Sequence, residues 1–179
     1  MSNRRVLRLT LDTNCINLRK IVPALNELER LAEQGIVQLA ATPEMLLDLE
    51  RDQSRYAEQR REKASLLHEQ IHNRPTKTKP TPPGSSEKTL DDPVTRETVE
   101  RGLRHWLQIL FPSGPPNGKM VDDILHVLIH RAWKRDIFVT MDDDLLSRRD
   151  ELKTLGVIVC KPDEALQRVR DQVRDHDSS

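Results

Sequence analysis

Residues 136–146 read DIFVTMDDDLL. An apolar run, IFVTM (137–141), stops against three adjacent carboxylates, Asp142, Asp143 and Asp144. A short apolar run closed by polar residues is the pattern of a strand buried on both faces, the kind found in parallel sheets. Carboxylates crowded at its end repel one another, and a cation, a hydrogen-bond network or open water must hold them. A divalent metal ion at the strand end answers that demand.

Three other segments read the same way, VLRLTLD (6–12), GIVQLAAT (35–42) and GVIVC (156–160). Helical patterns lie between and around them. In IVPALNELERLAEQG the residues Leu25, Leu28, Leu31 and Ala32 recur at spacings of three and four, and Gly35 supplies a stop. The stretch from Pro43 to His72 opens with Thr42 as an N-cap and Pro43 at the first helical position. RETVERGLRHWLQILF, GKMVDDILHVLIHRAWKR and PDEALQRVRDQVRD complete the set. Strands alternating with helices imply crossover connections and a parallel sheet covered on both faces. Ligands of such sheets collect outside the carboxyl ends of the strands.

A chain of 179 residues is sized for one domain with a real core. Within it, residues 51–118 read as a helical insertion whose Pro-, Ser-, Thr- and Lys-rich part, about 73–95, is a flexible loop. A second loop, FPSGPPNG (111–118), precedes the helix that starts near Lys119. The 29 basic and 29 acidic residues cancel, so a polyanion must be met by local patches. Aromatic residues make up only 3%, which argues against a base-stacking single-strand binding surface. Cys15 and Cys160 stand far apart without metal-ligand spacing, the usage of a reduced, cytoplasmic chain, and no apolar run approaches a membrane span.

Four elements each bring an acid toward one sheet edge. The first strand ends on Asp12, the strand near 137 on Asp142 with Asp144 beyond it; one helix carries Asp122 and Asp123 near its start, another Glu44, Asp48 and Glu50. Mg²⁺ and Mn²⁺ take such oxygen ligands, and Mg²⁺ keeps several waters that an open pocket accommodates. A metal-bound water is a nucleophile near neutral pH, and the metal neutralises charge on phosphorus oxygens, so phosphodiester hydrolysis is the natural reaction.

LTLDTN (9–14), TPEMLLDLE (42–50), VDDILHVLIHRA (121–132) and IFVTMDDDLL (137–146), in that order, resemble the signature segments of PIN-domain nucleases; LGVIVCKPDEAL (155–166) resembles the family's last strand and helix. The resemblance covers roughly residues 5–50 and 119–168. It implies a three-layer α/β/α sandwich with a central parallel sheet of four to five strands, a Mg²⁺ or Mn²⁺ site of three or four acids, and endonuclease action on RNA. It also implies a homodimer and, for the many toxin-type members, an antitoxin protein partner. Carried across motif by motif, the family acids fall on Asp12, Asp48, Asp123 and Asp142. Asp12, Asp123, Asp142 and Asp144 are the implied metal ligands, with Glu50 and Asp122 as alternates. At Asp48 the chain departs from the family, which usually has Glu there. Asn14 matches the usual polar residue of the first motif, and Thr140 is expected to hydrogen-bond near the acids.

More ordinary roles compete at each position. Asp12 suits a helix cap, Asp122 and Asp123 a helix first turn, and Asp143 complements a helix dipole, so Asp143 is left out of the site. His126 and His130 stand four apart as zinc ligands can, with Asp123 on their face, but no Glu follows the first His as in a metalloprotease helix, so both are expected to pack. Trp106 and Trp133 lie on helical apolar stripes and read as core or interface residues. Arg51, Arg55 and Arg148 are candidate contacts to RNA phosphates, joined by Lys77, Lys79 and Arg149, although Glu58 and Glu62 interrupt the basic run of that helix. Two other functions compete with the nuclease. One is a catalytically weak or inactive PIN-like scaffold; the other is a phosphatase with Asp12 as nucleophile, disfavoured because Asn14 stands where such enzymes carry a second Asp.

Overall fold

The structure, a computed structural model, describes residues 6–16, 22–42, 57–62 and 93–177. Within them the chain forms strand β1 (Leu7–Leu11), helix α1 (Thr13–Ile16), α2 (Pro23–Glu33), β2 (Val37–Ala40), α3 (Pro93–Leu110), α4 (Gly118–Ala132), β3 (Ile137–Val139), α5 (Asp143–Ser147), α6 (Arg149–Thr154), β4 (Val159–Cys160) and α7 (Pro162–Asp177). Residues 57–62 are also helical. The strands form one all-parallel sheet in the order β2-β1-β3-β4. No helix among the described residues is long and apolar enough to cross a membrane.

Side-chain alternation divides the sheet into two apolar faces. Leu9, Leu11, Val37, Leu39, Ile137, Val139 and Cys160 point one way and pack with Leu25, Leu28 and Leu31 of α2 and with Ala165, Leu166 and Val169 of α7. Phe138 and Val159 point the other way into a cluster with Trp106 and Leu110 of α3, Ile124, Val127 and Leu128 of α4, and Leu145 and Leu152 of α5 and α6. Helices on both faces of a parallel sheet make the layering α/β/α. Helices α3 and α4 approach closely where Gly102 meets Leu128, and Arg131 lies over the Trp106 ring at 5.4 Å. Trp106 is buried as the sequence suggests, while Trp133 is only half-buried at the end of α4.

Three helices hand over to strands by one device. After α2, Gly35 takes a φ of 72°, its amide reaching the Ala32 carbonyl and the next amide, Ile36, the Leu31 carbonyl. Gly156 (φ 82°) repeats this after α6, with Lys153 and Leu152 as acceptors. Both are the left-handed helix stop in which glycine avoids a Cβ clash. After α4 the same place is held by Lys134 at φ 53°, with bonds to Arg131 and His130 carbonyls. These turns explain why β2 and β4 start later than their sequence patterns. Gly156 and Val157 are spent on the turn, so β4 keeps two residues of the 156–160 pattern. α4 ends at Ala132 rather than running to Arg135, and α3 starts at Pro93, inside the segment that reads as loop to about 95.

The middle of β1 is polar on the face toward α4. Thr10 is fully buried and its hydroxyl lies 2.8 Å from Nδ1 of buried His130, whose ring stands edge-on to Phe138. Arg135 bridges the Leu9 and Gln38 carbonyls of adjacent strands at 2.8 and 3.0 Å. Burial, reinforced by the Arg135 charge, lowers His130 to about 3, so it is a neutral packing residue. That matches the packing role, and not the zinc role, weighed for it above.

Candidate metal centre

β1 has β2 on one side and β3 on the other, so the chain reverses its direction of travel across the sheet between β1 and β3. The carboxyl ends of two such strands diverge into helices on opposite faces and leave a crevice, the usual ligand position of open parallel sheets. The register sets Leu11 beside Val139, and the Asp12 amide closes the ladder on the Val139 carbonyl at 2.9 Å. Asp12 and Thr140 are therefore the first residues past the sheet on two adjacent strands.

Asp12 is buried, with 4% of its surface exposed. Its Oδ1 accepts the Thr13 amide at 2.7 Å, and its Oδ2 accepts the Asn14 amide group at 2.7 Å and the Thr140 hydroxyl at 2.6 Å. Thr140 in turn accepts from Asn14 and from the Asp142 amide, both at 3.0 Å. One donor and two lone pairs saturate that hydroxyl. Asn14 Oδ1 accepts the Met141 amide at 3.0 Å. Asn14 and Thr140 thus tie the loop after β1 to the loop after β3. Burial raises Asp12 above the ordinary carboxylate value, with a smaller push from the Asp142 charge, against the opposing Thr140 bond, the charge interaction with His126 and the Thr13 bond.

Asp142 caps α5. Its Oδ1 accepts the amides of Asp144 and Leu145 at 2.9 and 3.3 Å, leaving Oδ2 for the Lys119 ammonium at 2.7 Å. Burial works to raise Asp142, but the Lys119 bond and the two amides outweigh it and hold the group below its ordinary value. From the other side of the crevice, α4 starts behind Asn117, which caps the Met120 amide at 2.9 Å, and its first two turns present Lys119 and Asp123. Asp123 Oδ2 is buried, accepts no hydrogen bond among the described residues, and lies 3.9 Å from Lys119 Nζ. Burial, then the charge of Asp12, then that of Asp142 push Asp123 up to about 7 against the pull of Lys119. Lys119 is raised chiefly by its bond to Asp142, with Asp123 and Asp144 contributing.

Asp12, Asp123 and Asp142 are therefore brought together from β1, α4 and the β3–α5 junction. One ammonium touches the latter two, and its two distances together bound the separation of those carboxylate oxygens. Asp122, the alternate to Asp123, is exposed and acts on it only as a neighbouring charge. Asp144 is exposed as well; its amide serves Asp142 and its charge bears on Lys119. Asp48, Glu50, Arg51 and Arg55 lie outside the described residues. Arg148, read as a candidate RNA contact, is engaged within the fold. Its Nη1 donates to the Leu110 carbonyl at 2.9 Å and to Glu151 at 3.1 Å, and the guanidinium lies 4.0 Å over the Phe111 ring. It clamps α6 to the end of α3. Arg149 is ion-paired with Glu164 at 3.3 Å.

Lys119 is the site residue that sequence reasoning passed over. Its i,i+4 spacing to Asp123 was visible, whereas its shorter contact, to a residue 23 positions away, was not. The donor set is of the kind a hard divalent cation takes, since carboxylates dominate and, among the described residues, one buried carboxylate oxygen has no hydrogen-bond donor. Among the described residues no three His, Cys, Asp or Glu side chains lie close enough together to hold a metal ion as they stand. No protein-family model, curated protein or solved structure matches the chain.

Proposed function

We propose that this chain is a Mg²⁺- or Mn²⁺-dependent endoribonuclease of PIN-like type. The observation that carries the reading is the meeting of Asp12, Asp123 and Asp142 in the crevice where the sheet reverses direction, with Asp12 and Asp142 oriented by a saturated network through Thr140 and Asn14. Oriented carboxylates with supporting hydrogen bonds are what a metal site needs. Asp12, Asp123 and Asp142 would hold the cation, with exposed Asp144 at the margin. A bound metal would supply an activated water and neutralise charge on a phosphodiester. This chain's own residues hold the carboxylates in place, keep Asp12 dry and leave the crevice open toward solvent on the Lys119 side, where that side chain is 65% exposed. A homodimer, an antitoxin-type partner and a cytoplasmic setting belong to the same reading.

The test is cleavage of end-labelled RNA and DNA of one sequence by the full chain, with Mn²⁺, Mg²⁺ or EDTA, beside Asp12→Asn and Asp142→Asn. RNA cleavage that needs metal and falls by a factor of about 10² or more in both variants is the expected result. Cleavage surviving EDTA would overturn the metal mechanism, cleavage of DNA alone would change the substrate, and inactivity on both would favour the scaffold reading.

A further inference from the structure

Lys119 stands where its own helix disfavours it. Following the Asn117 cap, it is the second residue of α4, and a cation in a helix first turn opposes the dipole. No acid in that turn offsets it. What places the ammonium there is the acidic crevice: Asp142 Oδ2 at 2.7 Å, Asp123 Oδ2 at 3.9 Å, and the charge of Asp144 nearby. The Asp142 carboxylate is only 13% exposed and the Asp123 carboxylate 16%, whereas the lysine side chain is 65% exposed. The acids are fixed by the fold, and the lysine reaches in from solvent on four rotatable bonds. The ammonium thus engages two of the oxygens that a divalent ion would need.

We propose that Lys119 is a built-in counter-cation that competes with the divalent ion for Asp142 and Asp123 and swings out to solvent when the metal binds. The proposal rests on the metal-centre reading above and adds to it a device that sets metal affinity. A single positive charge matches one carboxylate and leaves the rest in excess, so a divalent ion gains more from the crevice than the lysine does. The exposed, flexible lysine loses little on leaving, because partly exposed ion pairs are worth little in water. The consequence is a centre that stays ordered at low metal and fills only above a threshold set by this exchange.

The experiment is calorimetric Mn²⁺ binding to the full chain without nucleic acid, comparing wild type, Lys119→Met, Lys119→Arg and Asp142→Asn. Lys119→Met keeps the stem and removes the charge, and is expected to tighten Mn²⁺ about three- to tenfold, the scale of one partly screened ion pair lost. Lys119→Arg should stay near wild type and Asp142→Asn should weaken binding. A second reading is the NMR signal of the Lys119 ammonium, which should lose its hydrogen-bonded signature on adding diamagnetic Mg²⁺. Wild type that binds Mn²⁺ through Asp142, with Lys119→Met binding no tighter, overturns the competition and leaves the metal centre standing. Failure of both wild type and Lys119→Met to bind Mn²⁺ overturns both. An ammonium signal unmoved by Mg²⁺ at saturating metal also overturns the exchange.

Discussion

Replacing Thr140 by Val removes one hydroxyl and keeps the shape, so nearly all of its effect must come from hydrogen bonding. That hydroxyl is fully buried, donates to Asp12 Oδ2 at 2.6 Å, and accepts from Asn14 and from the Asp142 amide. The bond to the carboxylate is charge-assisted and contributes about 1.5–3 kcal/mol, and the Asp142 amide left without this acceptor adds about 1 kcal/mol. Asn14 keeps its bond to Asp12, so its loss is small. The total is about 3 kcal/mol. Urea unfolding followed by circular dichroism would then show the midpoint falling by about 1.5 M at an m-value of about 2 kcal/mol/M. The same variant should weaken Mn²⁺ binding about tenfold or more, because two of the acids lose an orienting contact. A midpoint within about 0.25 M of wild type, equivalent to roughly 0.5 kcal/mol, would refute the view that this hydroxyl holds the two strand ends together.

Lys134→Gly should stabilise the protein by about 0.5–1 kcal/mol, because the residue sits at φ 53° where glycine carries no Cβ penalty, and the carbonyl that accepts from Arg8 is retained; a lower urea midpoint would contradict this. His130 has a folded value of about 3 against its ordinary 6.5, so the unfolded chain takes the proton first and stability falls as pH drops from 6.5 toward 3. Its share of that slope approaches about 1.4 kcal/mol per pH unit, and non-titrating His130→Gln should remove this share, seen as a shallower fall between pH 6 and 4. Leu28→Ala, at a position with no exposed surface between α2 and the sheet, should cost about 2–5 kcal/mol, and a loss below 1 kcal/mol in denaturant unfolding would argue against that packing.

The sheet could be read in the sequence because β3 and β4 lie in unbroken apolar runs and β1 and β2 are rich in aliphatic residues interrupted only by Arg8, Thr10 and Gln38; Leu9, Leu11, Phe138 and Val139 all fall where the pattern puts them. Strand ends were less legible, since Gly156 and Val157 look like strand but form a turn whose hydrogen bonds come from α6. Of the candidate site, Asp12, Asn14, Thr140 and Asp142 were readable as polar residues directly after apolar runs. The choice of Asp123 over Asp122 follows from burial, which the pattern of α4 left open. Contacts across long stretches of chain were not legible. Nothing near Lys119 in the sequence points to Asp142, nothing near Arg148 to the Leu110 carbonyl and Phe111 ring, and nothing near Thr10 to His130.

The three left-handed stops at Gly35, Lys134 and Gly156 all lie on the side of the sheet away from the acids. Each sets its strand's starting phase, and adding or deleting a single residue there would exchange the inward and outward sets of side chains along the whole strand. On the opposite rim, beyond Asn14 after β1 and beyond Asp144 after β3, a change in length no longer shifts the register of the strands behind it. Insertions and deletions can accumulate on that rim while the scaffold beneath keeps its alignment, so chemistry at the crevice is free to diversify on a frame that is locked from behind.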